Sequence, residues 1–560
     1  MAAFDWLLLE GLAMKRLLLG LLALSVCTGC STSEKERESV EERAATVDGI
    51  ITAARYRHHI EVLSSDAMEG RAPGSKGAKM ARSYIIARLR ECGIRPANGQ
   101  RFEQRVPLRR VETEVHDVRV IGGATDRRLM FGPEFMGNSR KGPGRHVVDG
   151  ELLFVGFGAQ APEYDWDDFK GVDCRGKILV MLVGDPPTED RNLFGGPAMT
   201  YYGRWTYKYD KAEELGAAGC IVVHKTPWAG YGWAVVENSG RRPKMRVRED
   251  DPNRHMGLEG WVTWKVAEEL VAGTGRSLDE LASAAARRDF KPVPLGRRLH
   301  AELTTTSEPF EDKNVAGILP GSDPDVADEF LIFTAHYDHL GKGEGKPGDD
   351  VIYNGAVDNA SGCAGLLTLA EAMSALPVKP RRSTMFLFVG SEEQGLLGSR
   401  YYTEHPLVPI KKTVANINID GLNVWEPTRD LQVIGYGQSS LDDVLESVLA
   451  GRSRVTLPDL EPEKGLYYRS DHFNFARVGV PALYVKTGEV VPGRPQGWLK
   501  RIKDDWVKNR YHRPADELQP DWTCSGGAED LRVFLRVALQ VLNGYLPPFW
   551  SDTSEFKDLR

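Results

Sequence analysis

Beyond residue 300 the sequence alternates short, almost uniformly apolar runs with longer segments of helical period, and this alternation restricts the fold more than any other feature. The run Phe330 to Ala335 (FLIFTA) suits a strand buried on both faces. Thr384 to Val389 (TMFLFV), Val414 to Ile419 (VANINI), Leu431 to Ile434 and Ala482 to Val485 repeat the pattern. Between them, SGCAGLLTLAEAMSAL sets Leu366, Leu369, Ala370 and Met373 at helical spacing, with Ser361 as a candidate N-cap and Pro377 past the end. Leu441 to Leu449 and Leu531 to Leu546 read as further helices. The alternation predicts an α/β fold with a mixed, mostly parallel sheet sandwiched by helices. Ligands of such a sheet gather at the carboxyl ends of its strands.

The remaining regions read differently. Residues 50 to 110 look like two helices around a glycine-rich loop, packing on the same sheet. Between 112 and 298, ELLFVGFGA, GKILVMLVG and CIVVH are short strands with turn signals, so this stretch reads as a β-rich insert. The expected division is a discontinuous domain (44–111 and 299–548) split by the insert (112–298), with a C-terminal tail (549–560). In the insert, Arg241 to Asp251 mixes charge signs and reads as a solvated loop, and its dense aromatics, such as Tyr201 and Tyr231, read as core filling. With 72 Lys+Arg against 79 Asp+Glu, the net charge of −7 excludes a chain-wide polycation for nucleic acid. Seven cysteines in 560 residues are too few for a disulfide scaffold.

From Met14 the chain has signal-peptide anatomy: Lys15 and Arg16, an apolar run from Leu17 to Cys27, then small residues up to Cys30. The run is shorter than the ~20 residues a membrane-spanning helix needs. Thr28-Gly29-Cys30 resembles a bacterial lipobox, which implies lipidation at Cys30 and export to the periplasm or outer membrane. Residues 1–30 are thus expected to be an address and 31–43 a polar tether, with membrane contact only through that lipid. Without the segment before Cys30, and with Cys30 lipidated, five cysteines remain, so at least one is a free thiol or pairs between chains.

The chemistry lies at the predicted strand ends. TAHYDHLG holds His336, Asp338 and His339; YNGAVDNASG holds Asp358; VGSEEQGLLGS holds Glu392 and Glu393; NINIDGLN holds Asp420; RYHRPADE holds His512. A single such residue is commonplace. Two histidines and several carboxylates at successive ends of one sheet are not, because anions gathered there without a cation repel strongly, and a metal resolves the conflict. Nitrogen and oxygen donors without thiolate suit Zn²⁺. Five donors exceed one catalytic zinc, and one bridging carboxylate makes three per metal for two metals.

The set HYD…DNASG…SEEQGLLGS…NID…YHRPADE resembles the M28 family of co-catalytic zinc exopeptidases, across about 50 to 110 and 300 to 548. The resemblance implies two zinc ions per chain and peptide substrates. It gives His336 and Asp420 to one metal, Glu393 and His512 to the other, and Asp358 as the bridge, followed by a cis Asp358–Asn359 peptide. Asp338 would accept the second ring N–H of His336, Glu392 would be the general base, and Tyr511 would stabilise the oxyanion. Arg469 in YYRSDHF would contact substrate. His339 and His405 are read as structural, and Asp471 as a helix N-cap. YDWDDFKGVDCRGKILVMLVGD and YDKAEELGAAGCIVVH in the insert resemble a protease-associated domain. Aminopeptidase action is the first expectation. A carboxypeptidase or dipeptidase, a non-catalytic binding protein on this scaffold, and a one-zinc glutaminyl cyclase are the alternatives.

Overall fold

The computed structural model describes residues 40–123, 126–190 and 192–559. The expected signal segment, including Cys30, lies outside the described residues. Among the described residues no helix is long and apolar enough to cross a membrane.

Two helices, α1 (Ala53–Leu63) and α2 (Lys76–Glu91), open the fold. The serine and threonine before them act as caps: Thr52 accepts from Arg55 N and Ser75 from Ala78 N. Strands β1 (Glu103–Ile121), β2 (Phe135–Asn138), β3 (Gly144–Phe154), β4 (Ile178–Leu182), β5 (Gly219–His224), β6 (Leu258–Thr263) and β7 (Val293–Leu319) follow, with α3 (Trp205–Glu214) between β4 and β5. The second half holds β8 (Phe330–His336), α4 (Gly362–Ser374), β9 (Ser383–Val389), β10 (Thr413–Asn418), β11 (Asp430–Ile434), β12 (Val455–Pro458), β13 (Ala482–Thr487) and α5 (Ser525–Asn543).

All five apolar runs are strands of one sheet, in the order β12-β11-β13-β10-β8-β9-β7-β3-β4-β5-β6-β2. β8 pairs in parallel with both β9 and β10, and every residue of β8 is buried, as expected of a strand covered by helices on both sides. β7–β9 and β11–β13 are antiparallel, so the sheet is mixed and mostly parallel. α1, α2, α4 and α5 share one apolar core over it, through residues such as Ile60, Ile85, Leu366 and Leu535.

Several local expectations change. The last residues of the expected tether, 40–43, belong to the folded body: Val40 is buried in the core and Glu41 pairs with Arg536 at 2.8 Å. Ser361 does not cap α4; its hydroxyl donates to Val357 O and accepts Leu422 N, at the end of a tight turn, Ala356–Ser361, with a wide helical hydrogen-bond pattern. α5 begins at Ser525 and ends at Asn543, because Gly544 turns extended (ψ 147°). In the expected C-terminal tail, Trp550 and Phe556 are buried. The five described cysteines are all free thiols.

The insert is less purely β than expected. β3, β4, β5 and β6 run parallel to one another, with α3 and the helices Trp264–Val271 and Leu278–Ala285 beside them. It has its own apolar core, including Leu152, Val180, Ile221 and Leu281. There is no break at 112 or 298: β1 and β7 pair from Glu103↔Val315 to Ile121↔Arg298, with one register shift between Glu302 and Leu303, so a two-stranded ribbon carries the chain from one core to the other. Part of the charged stretch is a strand rather than a loop, since Lys244–Val247 pairs with β1.

Candidate metal centre

The parallel strands deliver the donors to one edge. His336 is the last residue of β8; Asp420 lies two residues beyond β10; Glu392 and Glu393 follow β9 by three and four. Asp358 sits in the turn before α4, with the Asp358–Asn359 peptide cis. His512 comes from the segment after the helix Trp498–Asn509, at φ +55°.

The local backbone is built for convergence. Gly355 has φ +56°, and a Cβ there would stand 2.1 Å from Asp358 O and 2.7 Å from the His339 ring, so only glycine lets this loop pass. Ser391, just before the glutamates, is also left-handed (φ +56°) and is held by its hydroxyl on Asp312 Oδ2 at 2.7 Å. The Arg71 guanidinium is buried and donates to the carbonyls of Tyr337, Leu63, Asn354 and Gly355. It thereby ties the His336 loop to the Asp358 loop.

Asp358 lies at the centre of the cluster. Its Oδ1 is 3.2 Å from His336 Nε2, and its Oδ2 is 3.1 Å from His512 Nε2. His336 Nε2 also lies 3.4 Å from Asp420 Oδ1, and His512 Nε2 lies 3.2 Å from Glu393 Oε2. Donors about 2.0–2.1 Å from a tetrahedral zinc stand roughly 3.3 Å apart along each edge. The four spacings fit that figure, on both sides of one carboxylate. His336, Asp420 and Asp358 therefore form one group whose spacings would suit a zinc ion, and His512, Glu393 and Asp358 form a second.

Charge follows the same geometry. Burial works against a proton on His336, yet Glu392, Asp358 and Asp420 around it hold its pKa well above the ordinary imidazole value. Burial likewise opposes charge on Asp358, but His336, His512 and His339 outweigh it and keep the carboxyl well below its usual range. Glu392 goes the other way: burial first, then Glu393 and Asp420, push it well up despite the opposing pull of His336.

Some assignments from the sequence need revision. Asp338 does not offer its carboxylate as the hydrogen-bond partner of His336. His336 Nδ1 bonds the Asp338 backbone carbonyl at 3.2 Å, with the nearest carboxylate oxygen at 3.9 Å. That carboxylate accepts instead from the N–H groups of Glu392 (3.0 Å) and Glu393 (3.4 Å). His339 is not remote either. Its Nδ1 is 2.7 Å from Glu393 Oε1, and it forms a group of mutually close donors with Asp358 and Glu393. Asp471 stands at an N-cap position but makes no capping bond. Tyr511 stacks on the His512 ring, with centroids 3.9 Å apart, and Arg469 is exposed at the mouth of the same cavity.

Asp516 went unread in the sequence, and Ser470 was read only as part of the segment around Arg469 near the substrate. Asp516 accepts Val357 N, Asp358 N and Trp506 Nε1, fixing the loop that carries the bridging carboxylate. Ser470 donates to Asp420 Oδ2 and accepts from Asn418 Nδ2. Asp516 lies four residues past His512 in RYHRPADE, and that proximity was its only signal. The insert aromatics divide: Tyr202 and Tyr207 fill a core, while Tyr201 and Tyr231 line the cavity leading from the donors.

Residues 314–532 match peptidase family M28. Aminopeptidase YwaD of Bacillus subtilis is 27% identical over 194 residues, covering 34% of this chain and 36% of that protein. The chain thus aligns with only about a third of that relative's length. The probable lipoprotein aminopeptidase LpqL of Mycobacterium tuberculosis is 24% identical over 394 residues, 65% of this chain and 72% of that one. Among solved structures, an aminopeptidase from Aneurinibacillus sp. strain AM-1 superposes with a TM-score of 0.48 at 18% identity, covering 89% of this chain and 96% of that one.

Proposed function

Since the chain carries a peptidase family M28 domain at residues 314–532, we propose that it is a two-zinc aminopeptidase that releases N-terminal residues from peptides. The observation that carries this reading is the Asp358 carboxylate, which offers one oxygen to the His336 group and the other to the His512 group at tetrahedral-edge spacing. The relatives named as aminopeptidases support it.

Zinc, when bound, supplies Lewis acidity toward a carbonyl and a lowered pKa for water. The chain supplies the remainder. Glu392 is the general base: its carboxylate lies 4.0 Å from His336 Nε2, and its backbone is fixed by Asp338. In that position it takes the proton of the attacking water and returns it to the leaving amine, so its raised pKa suits both halves of the transfer. The Tyr511 hydroxyl is kept protonated by burial and by the carboxylates of Asp358, Glu393 and Glu392, so it donates to the developing oxyanion. Asp338, Asp516 and Ser470 hold the reacting groups in place. The N-terminal segment and the aminopeptidase LpqL together support export of the protein, with anchoring through Cys30.

The test is zinc per chain measured beside hydrolysis of amino-acid p-nitroanilides and N-blocked peptides. Two equivalents, chelator-sensitive release from the p-nitroanilides and none from blocked peptides are expected. Cleavage of N-blocked peptides alone would replace this reading with a carboxypeptidase.

A further inference from the structure

α5 ends at Asn543, and the chain then runs over the surface with large apolar side chains outward: Tyr545 is 78% exposed, Leu546 82% and Phe549 64%. Single exposed apolar residues are ordinary, but these three lie within five positions, and Val378, 53% exposed, stands on the neighbouring loop. The two loops are tied together. Arg381 N donates to Asn543 Oδ1 at 3.3 Å, Arg382 N donates to Leu542 O at 3.1 Å, and the Arg381 guanidinium stands 5.1 Å from the centre of the Tyr545 ring. The segment is also held in shape. Pro547 and Pro548 restrict its backbone, and Phe549 exchanges two 3.0 Å hydrogen bonds with Ser440, through its N–H to the hydroxyl and its carbonyl from the Ser440 N–H.

The chain enters the folded body at the same place, since Arg43 Nη1 donates to that same Asn543 Oδ1 at 3.2 Å. Only residues 31–39 separate Cys30 from Val40, and fully extended they reach at most roughly 35 Å. A lipid on Cys30 would therefore keep this end of the molecule close to the bilayer. Strands β8 and β9 run parallel away from it: Arg381 and Arg382 directly precede β9, whereas His336 ends β8 and Glu392 and Glu393 follow β9. The donors thus lie roughly 20 Å away, at the opposite edge of the sheet. Four apolar side chains are too few for a stable protein–protein interface, which takes about 20–30 residues a side. They are, however, the residue types that enter a bilayer interface, where a short apolar insertion adds to a lipid chain as a second signal. Lys379, exposed beside Val378, suits anionic headgroups.

We propose that Val378, Tyr545, Leu546 and Phe549 form a bilayer-contact face, which seats the folded body on the membrane that holds the Cys30 lipid and turns the donor edge away from it. The proposal rests on the anchoring through Cys30 proposed above. A lipid alone leaves the body free to swing on its tether. The contact face fixes one orientation, with the donors open to peptides in the aqueous compartment.

The lipidated chain, purified from membranes, would be reconstituted in phosphatidylethanolamine–phosphatidylglycerol vesicles with a fluorophore on Val378→Cys or on Val507→Cys. Val507 is comparably exposed but lies on the helix Trp498–Asn509 that leads to His512. Headgroup spin-labelled lipid should quench the label at the first position and leave the second nearly unchanged. Tyr545→Ser combined with Leu546→Ser and Phe549→Ser should abolish most of that quenching while the lipid and the unfolding temperature are retained. Equal quenching at both positions, quenching at neither, or quenching that survives the triple substitution overturns the contact face and leaves the anchoring standing. A dimer in sedimentation that the triple substitution dissociates gives the face to a second copy and likewise overturns the proposal. A chain without lipid at Cys30 by mass spectrometry, which also fails to join vesicles, overturns the anchoring reading and the proposal with it.

Discussion

The carboxylate of Asp338 accepts the backbone N–H of Glu392 at 3.0 Å. Through this bond a residue on the β8 loop sets the direction of the side chain that follows β9. Asp338→Asn retains the shape but replaces one acceptor oxygen with a donor, so one of the two glutamate N–H groups loses its partner. We expect a fall in kcat of about 10- to 100-fold with little change in KM. Glu392→Gln should lose about 10²- to 10⁴-fold in kcat while retaining its zinc. Steady-state kinetics with metal analysis on both variants would check this, and an active Glu392→Gln enzyme would remove Glu392 from the role of base.

Asp516 serves the bridging carboxylate in the same way. In Asp516→Ala the N–H groups of Val357 and Asp358 lose their side-chain acceptor in a buried loop, a cost of about 1–3 kcal/mol for each group left unsatisfied. Denaturant unfolding should show that loss. Zinc affinity should fall with it, since the loop no longer holds Asp358 toward both histidines.

Two histidines are candidates for the proposed second metal position. His512 Nε2 faces both Asp358 and Glu393, whereas His339 faces Glu393 through Nδ1 and its buried Nε2 has no partner. The spacings favour His512 as the donor. Accordingly, His512→Gln should hold about one zinc per chain after dialysis, and His339→Gln should still hold two. The opposite result by elemental analysis would make His339 the ligand.

Glu555 links the C-terminal segment to the insert, accepting from Tyr468 Oη at 2.6 Å and Tyr201 N at 3.2 Å. Burial, with help from Asp185 and Glu163, pushes its carboxyl up to about 8 against the pull of those two hydrogen bonds. A raised folded-state pKa contributes stability that is complete below the unfolded value of about 4.3 and is lost as pH rises through the folded one. Wild-type stability should therefore decline between about pH 4.5 and 8. Glu555→Gln should flatten that decline, and thermal unfolding across the range at constant ionic strength would measure it.

The five central strands were legible because a strand covered on both faces must be apolar throughout; His336, Glu392, Glu393 and Asp420 stood out at the ends of those runs, and Asp358 just before a helix. The same logic failed where a side chain acts on backbone. Arg71, Asp516 and Ser470 are ordinary polar residues in loops, and nothing in their spacing says which carbonyl or N–H they will meet. It also failed for Asp338, whose partner depends on how two loops cross. The sequence by itself determined the layered α/β architecture and which residues are candidate donors, because burial and coordination chemistry are properties of residue type and period. Only the tertiary structure decided which histidine faces which carboxylate and where the ribbon of β1 and β7 hands the chain to the insert. Those outcomes depend on distances between segments hundreds of residues apart, and they are set by packing.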